Sequence, residues 1–255
     1  MAQSQNPIIM IPARMSSTRL PQKPLADIAG EPLIVHVWRR GMEADCGPVV
    51  VACAENEVAN VIRSVGGEAV LTDPLHPSGS DRIHEAVERF DPDGKYDLVI
   101  NLQGDLPTID RVALEAVLKP LEGSDFDIGT LVAKISSPDE RINPNVVKAV
   151  VSLPPDENIG PAIYFSRESV PWSEDDKAQL YHHIGLYAYR REGLRKFVSL
   201  APNVLEKQER LEQLRALVNG MRIGAVCVDS VPLGVDTPAD LELARRILSR
   251  NKGCI

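Results

Sequence analysis

Aromatic residues are scarce in this chain, at 4% of 255 positions, so the core it builds is expected to be aliphatic. Long hydrophobic runs are missing too. None approaches the roughly 20 apolar residues of a membrane span, and the opening MAQSQNPIIMIPAR has neither the basic region nor the apolar stretch of a signal peptide. A cytoplasmic protein with no membrane partner is the expectation. An excess of positive charge is also absent: 28 Lys and Arg stand against 36 Asp and Glu, a formal net charge of −8. That balance excludes general binding to nucleic acid, which wants a basic surface. Cysteine is sparse. Cys46, Cys53, Cys227 and Cys254 lie far apart, without C-x-x-C or zinc-finger His spacing, and are expected to be free thiols in a reducing compartment.

What is present is an alternation. The short apolar runs PIIMI (7–11), VVVAC (49–53) and LVINLQ (98–103) read as buried strands. Between them, 31–44, 55–66 and 80–90 place apolar residues three or four apart, the pattern of amphipathic helices. Strands alternating with helices imply βαβ crossovers and a mostly parallel, Rossmann-like α/β sheet. From about residue 128 the texture changes. IGTLVAKI (128–135), VVKAVVSL (146–153) and HHIGLYAYR (182–190) follow one another with little helix between them, predicting a smaller antiparallel lobe over about 128–190 within one domain spanning 1–255. A helix over 205–220, a strand over 223–229 and a final helix from Pro238 complete the pattern. Thr237 and Asp240 are spaced to cap that last helix.

The segment IPARMSSTRLPQKPL (11–25) directly follows the first strand, and it contains no glycine. In open parallel sheets ligands bind beyond the carboxyl ends of the strands. A phosphate loop normally uses glycines to bring backbone N–H groups close. Here Arg14, Arg19 and Lys23 must supply the positive charge, with three prolines restricting the segment. A cation about 4 Å from a phosphate oxygen gains roughly 4 kcal/mol before desolvation is counted, at an effective dielectric near 20. Composition alone leaves a solvated basic loop equally open; the position after the first strand favours a small polyanion.

The same segment resembles the opening signature of the cytidylyltransferases that activate 3-deoxy-manno-octulosonate (Kdo). The likeness continues, in the family's order, through HPSGSDR (76–82), NLQGDLP (101–107), NPNVVK (143–148), YFSR (164–167), HIGLYAYR (183–190), LEQLR (211–215) and GVDTPADL (234–241). The resemblance implies a nucleotidyltransferase-type fold and a magnesium-dependent, dimeric, cytoplasmic enzyme. That enzyme converts CTP and Kdo to CMP-Kdo and pyrophosphate for lipopolysaccharide assembly. The pattern is departed from at Ala54, at Ser80-Asp81 and at Leu106, where the family usually has aspartate, Thr-Glu and glutamate.

Carried over residue by residue, the resemblance makes Asp105 and Asp236 the metal ligands and assigns Arg14, Lys23 and Arg19 to the triphosphate. Ala13 and Gln103 match positions that read cytosine, with Ser78 and Gly79 nearby. Taken singly, each aspartate is also what a turn or helix cap uses. Magnesium suits the pair, because it takes one or two carboxylates and completes its shell with phosphate and water. On the sugar side the expected contacts are Arg167, for the acid's carboxylate, and His183, Tyr187, Glu212 and Gln213. Strand alternation sends His183, Gly185, Tyr187 and Tyr189 to one face. Helical spacing over 205–220 predicts a buried stripe of Leu211, Leu214 and Val218, with Glu212 opposite and Gln213 on its edge. The expected reaction is in-line displacement at the α-phosphorus, without an obligatory general base. Two alternatives remain: a related acceptor such as an amino-Kdo or a sialic acid, and a non-catalytic sugar-nucleotide sensor suggested by Leu106 and Ala54.

Overall fold

The computed structural model describes residues 5–17, 19–174 and 178–251; Thr18 of the cationic loop and Cys254 lie outside them. These residues form two compact units, one built up to Glu115 and again from Pro232, the other by Ala116–Val231.

In the first unit, β1 (Pro7–Ala13) leads through the short ribbon of β2 (Asp27–Ile28) and β3 (Glu31–Pro32) into α1 (Leu33–Ala44). The order continues as β4 (Val49–Cys53), α2 (Asn56–Ser64), β5 (Glu68–Leu71), α3 (Gly79–Phe90), β6 (Leu98–Asn101) and α4 (Arg111–Ala116). Its sheet runs β5-β4-β1-β6, and every pairing is parallel. Ile8 to Ile11 and Val50 to Cys53 have no exposed surface, because a parallel strand covered on both faces must be apolar throughout. That continuity is why β1, β4 and β6 are legible in the sequence. β5 is not: it is four residues long, sits at the edge and starts on exposed Glu68.

The second unit holds β7 (Ile128–Lys134), α5 (Pro138–Ile142), β8 (Lys148–Val151), β9 (Ile159–Ser166) and β10 (Tyr181–Arg190). It continues with α6 (Arg191–Ser199), α7 (Val204–Glu209), α8 (Leu214–Val218) and β11 (Ile223–Val228). Its strands run β10-β7-β11-β9-β8. Only β7 and β11 are parallel; β10 on β7, β9 on β11 and β8 on β9 are antiparallel. The mostly parallel arrangement and the antiparallel one are thus both present, as expected. β9 escapes the sequence reading because it opens with Ile159-Gly160-Pro161, and Gly-Pro ordinarily argues against a strand interior.

The helix expected over 205–220 is two. α7 ends at Glu209, its cap residue Arg210 takes a left-handed conformation (φ 56°, ψ 46°), and the chain becomes helical again at Leu214 as α8. The cause lies at the end of β9. The Glu209 carboxylate accepts from the Ser166 hydroxyl (2.8 Å) and the Arg167 N–H (3.0 Å), while the Arg167 guanidinium donates to the Glu209 carbonyl (2.7 Å). The carbonyls at the helix end are therefore taken by a strand instead of by the next turn. With the break, the predicted stripe fails at Val218, which is 53% exposed, while Gln213, expected at the edge, is buried. Leu211 and Leu214 are buried as expected. The described residues end in α9 (Pro238–Asn251), part of the first unit.

Candidate active site

Beyond the carboxyl end of β1 the chain forms a loop held from several sides. The Met15 N–H donates to Glu55 Oε1 (3.0 Å), Gln22 N–H returns to the Met15 carbonyl, and Gln22 adopts a left-handed conformation (φ 55°) before a single 3₁₀ turn over Lys23–Leu25. Pro24 is the second residue of that turn, where its missing N–H costs nothing. Lys23 is thereby aimed inward while Arg14 and Arg19 stay exposed.

Opposite Lys23 lies the turn after β6. Gly104 is required there, since a Cβ at that position would come within 2.7 Å of the Pro12 carbonyl oxygen. The Val235 N–H donates to the Asp105 carbonyl (2.9 Å), and the Leu233 N–H to the Thr108 hydroxyl (2.9 Å), which lays 233–236 alongside 105–108. Thr237 caps α9: its hydroxyl accepts from the Asp240 N–H (3.2 Å), and the Asp240 carboxylate accepts from the Thr237 N–H (2.8 Å). The capping role expected as an alternative for Asp236 is thus filled by its neighbours, and its carboxylate is left for other partners.

Those partners are cations. Lys23 Nζ donates to Asp105 Oδ2 at 2.8 Å and to Asp236 Oδ1 at 3.0 Å, and Arg19 reaches Asp236 Oδ2 at 3.0 Å. Burial pulls the Lys23 pKa down, but the charges and hydrogen bonds of Asp105 and Asp236 outweigh it, and the net shift is upward. Two aspartates more than 130 positions apart in sequence therefore share one ammonium group.

A cleft of about 370 Å³ opens over this pair, lined by Ala13, Arg14, Arg19, Lys23, Ser78, Gly79, Gln103, Asp105 and Asp236, among others. Every residue expected at the nucleotide therefore faces one cavity. Ser78 caps α3, accepting from the Asp81 N–H (3.2 Å), so the positive end of a twelve-residue helix also points there. Sequence reasoning missed Arg82, which lines the same cleft. It is 2% exposed and donates to the Thr72 hydroxyl (2.6 Å), while its NH2 has no partner among the described residues. Burial, first, and the neighbouring Arg14 charge lower its pKa. Its signal was available: it follows Ser78 and Gly79 by one helical turn, in a block already singled out. With four cations against two carboxylates, the cleft is positive in an acidic chain. Leu106 turns inward, 8% exposed, and is a packing residue.

The donor set suits magnesium. Two hard carboxylate oxygens already enclose one cation at the edge of an open cleft. Among the described residues no cluster of three or more His, Cys, Asp or Glu could hold a metal alone, so phosphate and water would complete the shell.

In the second unit, an aromatic row crosses one face. Ring centroids are 4.7 Å apart for Phe165 and His183, 5.5 Å for His183 and Tyr187, and 6.0 Å for Tyr187 and Tyr189. His183, Tyr187 and Tyr189 share a face as expected, although β10 bulges against β7 between Ile184 and Tyr187, where Gly185 lies. Burial pushes the His183 pKa down to about 3 and lifts that of Tyr187 well above 10, the latter aided by the Tyr189 and Glu212 charges. Gln213 is 6% exposed, and its Nε2 has no partner among the described residues. Arg167 is engaged otherwise than expected. Besides the Glu209 carbonyl its guanidinium donates to the carbonyls of Pro144 (2.8 Å) and Arg210 (3.5 Å), which makes it a latch between β9 and its surroundings.

Comparison with known proteins agrees with this chemistry. Residues 8–223 match the model of the family described as "Cytidylyltransferase". The chain is 60% identical over 242 residues to a 3-deoxy-manno-octulosonate cytidylyltransferase of Paramagnetospirillum magneticum, covering 95% of this chain and 97% of the relative. It is 58% identical over 252 residues to the enzyme of the same name from Rhodospirillum centenum, covering 99% and 97%. Among solved structures, a CMP:2-keto-3-deoxy-manno-octonic acid synthetase complexed with CTP superposes with a TM-score of 0.88 at 36% identity, covering 97% of this chain and all of the other.

Proposed function

We propose, since the chain belongs to the cytidylyltransferase family, that it transfers CMP from CTP to the anomeric hydroxyl of Kdo and releases pyrophosphate, as a cytoplasmic homodimer serving lipopolysaccharide assembly. The observation that carries this reading is the single ammonium of Lys23 held between Asp105 and Asp236 at the edge of a positive cleft. Such a constellation has little covalent chemistry to perform; positioning and charge neutralisation suffice for in-line displacement.

Arg14, Arg19 and Lys23 receive the triphosphate. Arg presents a planar fork to phosphate oxygens, and Lys a mobile point charge. Lys23 exchanges its carboxylate partners for phosphate oxygens as the nucleotide enters, which moves positive charge towards the departing pyrophosphate. Ala13, Gln103, Ser78 and Gly79 receive the cytidine. Main-chain groups and one amide distinguish an amino group from a carbonyl. Asp105 and Asp236 hold magnesium, which when bound supplies Lewis-acid polarisation of phosphate oxygens.

His183, Tyr187, Glu212 and Gln213 bind the sugar. The buried, unpartnered Gln213 amide supports this, because such a group costs about 1–3 kcal/mol unless a ligand satisfies it. Arg167 offers the acid's carboxylate the N–H groups its three carbonyls do not use. Pyrophosphate release from each of the four nucleoside triphosphates, with and without Kdo and magnesium, tests the whole. Release only with CTP, Kdo and the metal together is expected. CTP binding without release would instead establish a sensor.

A further inference from the structure

Thr130 is fully buried in β7, and nothing in the reaction described above uses it. Its hydroxyl oxygen lies 3.1 Å from His183 Nε2, 3.0 Å from the Leu186 carbonyl oxygen and 3.3 Å from that of Ile184. The two carbonyls converge there because β10 bulges at this place, leaving Gly185 and Leu186 opposite no residue of β7.

A hydroxyl has one proton and two lone pairs. Were the proton given to His183 Nε2, the Thr130 oxygen would face two carbonyl oxygens at hydrogen-bond distance with no hydrogen between them. That arrangement is repulsive and leaves buried acceptors unsatisfied. The proton therefore goes to the carbonyls, Leu186 being the nearer. The Thr130 oxygen is then an acceptor towards His183, so Nε2 carries the hydrogen. Burial keeps the imidazole neutral, and the Phe165 and Tyr187 rings at 4.7 and 5.5 Å hold its plane. A neutral ring protonated at Nε2 has a bare lone pair at Nδ1, which can only accept a hydrogen bond.

We propose that Thr130 is a positioning residue that locks His183 in its Nε2–H form, so that Nδ1 accepts a hydrogen bond from a hydroxyl of the acidic sugar. This rests on the reading of His183 as a sugar contact and deepens it. The site then selects for a donor: a sugar with a hydroxyl at that position binds, a deoxy analogue loses a hydrogen bond, and a carboxylate is repelled.

Long-range proton–nitrogen correlation spectra of the ¹⁵N-His-labelled full chain read the ring directly. Ligand-free protein is expected to show a protonated, pyrrole-type Nε2 and an unprotonated, pyridine-type Nδ1 for His183. Saturating Kdo should move the Nδ1 resonance. Thr130→Val should abolish the single tautomer and raise KM for Kdo about tenfold, one hydrogen bond's worth, with KM for CTP unchanged; Thr130→Ser should restore both. A proton on Nδ1 in the native protein overturns the inference, as does an unchanged tautomer in Thr130→Val. The stated tautomer with no Nδ1 response to Kdo instead removes His183 from the sugar site.

Discussion

The two units assemble their polar groups by different means. In the first, most of the charged side chains follow buried parallel strands: Arg14 to Lys23 come after β1 and Asp105 after β6, with Asp236 tied back by the Val235 N–H and Arg82 held on α3. In the second, the polar groups sit within the elements themselves. His183 and Tyr187 flank a bulge, Gln213 precedes a restarted helix, and Arg167 is occupied with main-chain carbonyls. The first unit places charge on a rigid frame, and its function is electrostatic. The second pays for shape with buried, partly unsatisfied polar atoms, and its function is recognition. Substitutions in the first should therefore strike turnover with little effect on folding; those in the second should mix stability with sugar affinity.

The largest expected effect is in the first unit. Asp105→Asn or Asp236→Asn should each lower kcat roughly 10³–10⁴-fold while the melting temperature stays within a few degrees, measured by pyrophosphate release and calorimetry. A mutant with near-normal turnover would remove the carboxylate from the reaction.

That contrast also explains what the sequence made legible. Parallel strands buried on both faces must be apolar runs, so β1, β4 and β6 could be found, and with them the loops that carry chemistry. Asp105 and Asp236 were each ambiguous, and their pairing depends on the Val235–Asp105 hydrogen bond, which no local pattern encodes. Family resemblance, not periodicity, brought them together. Arg82 went unread because a buried arginine looks like any helical surface arginine until the fold covers it. In the second unit the period failed where tertiary bonds won: Glu209 and Arg167 end α7 before Arg210, against helical spacing that favours continuing. β9 was masked by Gly160-Pro161.

The next effect belongs to the second unit. His183 has a folded pKa of about 3 against an ordinary 6.5, so the unfolded chain binds the extra proton. Its contribution is fully present above pH 6.5 and is lost as pH falls towards 3, about 5 kcal/mol in all. Urea titrations of His183→Gln should show an acid limb shallower by that order; an unaltered limb would mean that the ring is hydrated.

Arg167→Met should cost about 2–3 kcal/mol of stability through its lost carbonyl partners and also raise KM for Kdo. Loss of affinity without loss of stability would make the latch unimportant.

The smallest effect returns to the first unit. The Lys23 pKa is raised in the folded state, so its pairing stabilises fully below pH 10.5 and fades as pH climbs beyond. With Asp236 nearly half exposed, this is about 1 kcal/mol. Lys23→Met should erase that alkaline limb and leave a ligand-free protein that magnesium stabilises more than the parent, by relieving two facing carboxylates. Equal stabilisation of both proteins would place the metal elsewhere.

Coupling between the two aspartates is the most direct trial of the shared cation site. Pyrophosphate release should be measured for Asp105→Asn, Asp236→Asn and the double mutant under saturating CTP, Kdo and magnesium. If both carboxylates act on one bound cation, the double mutant falls no more than about threefold below the slower single mutant. Losses that multiply would show two independent roles and contradict the account.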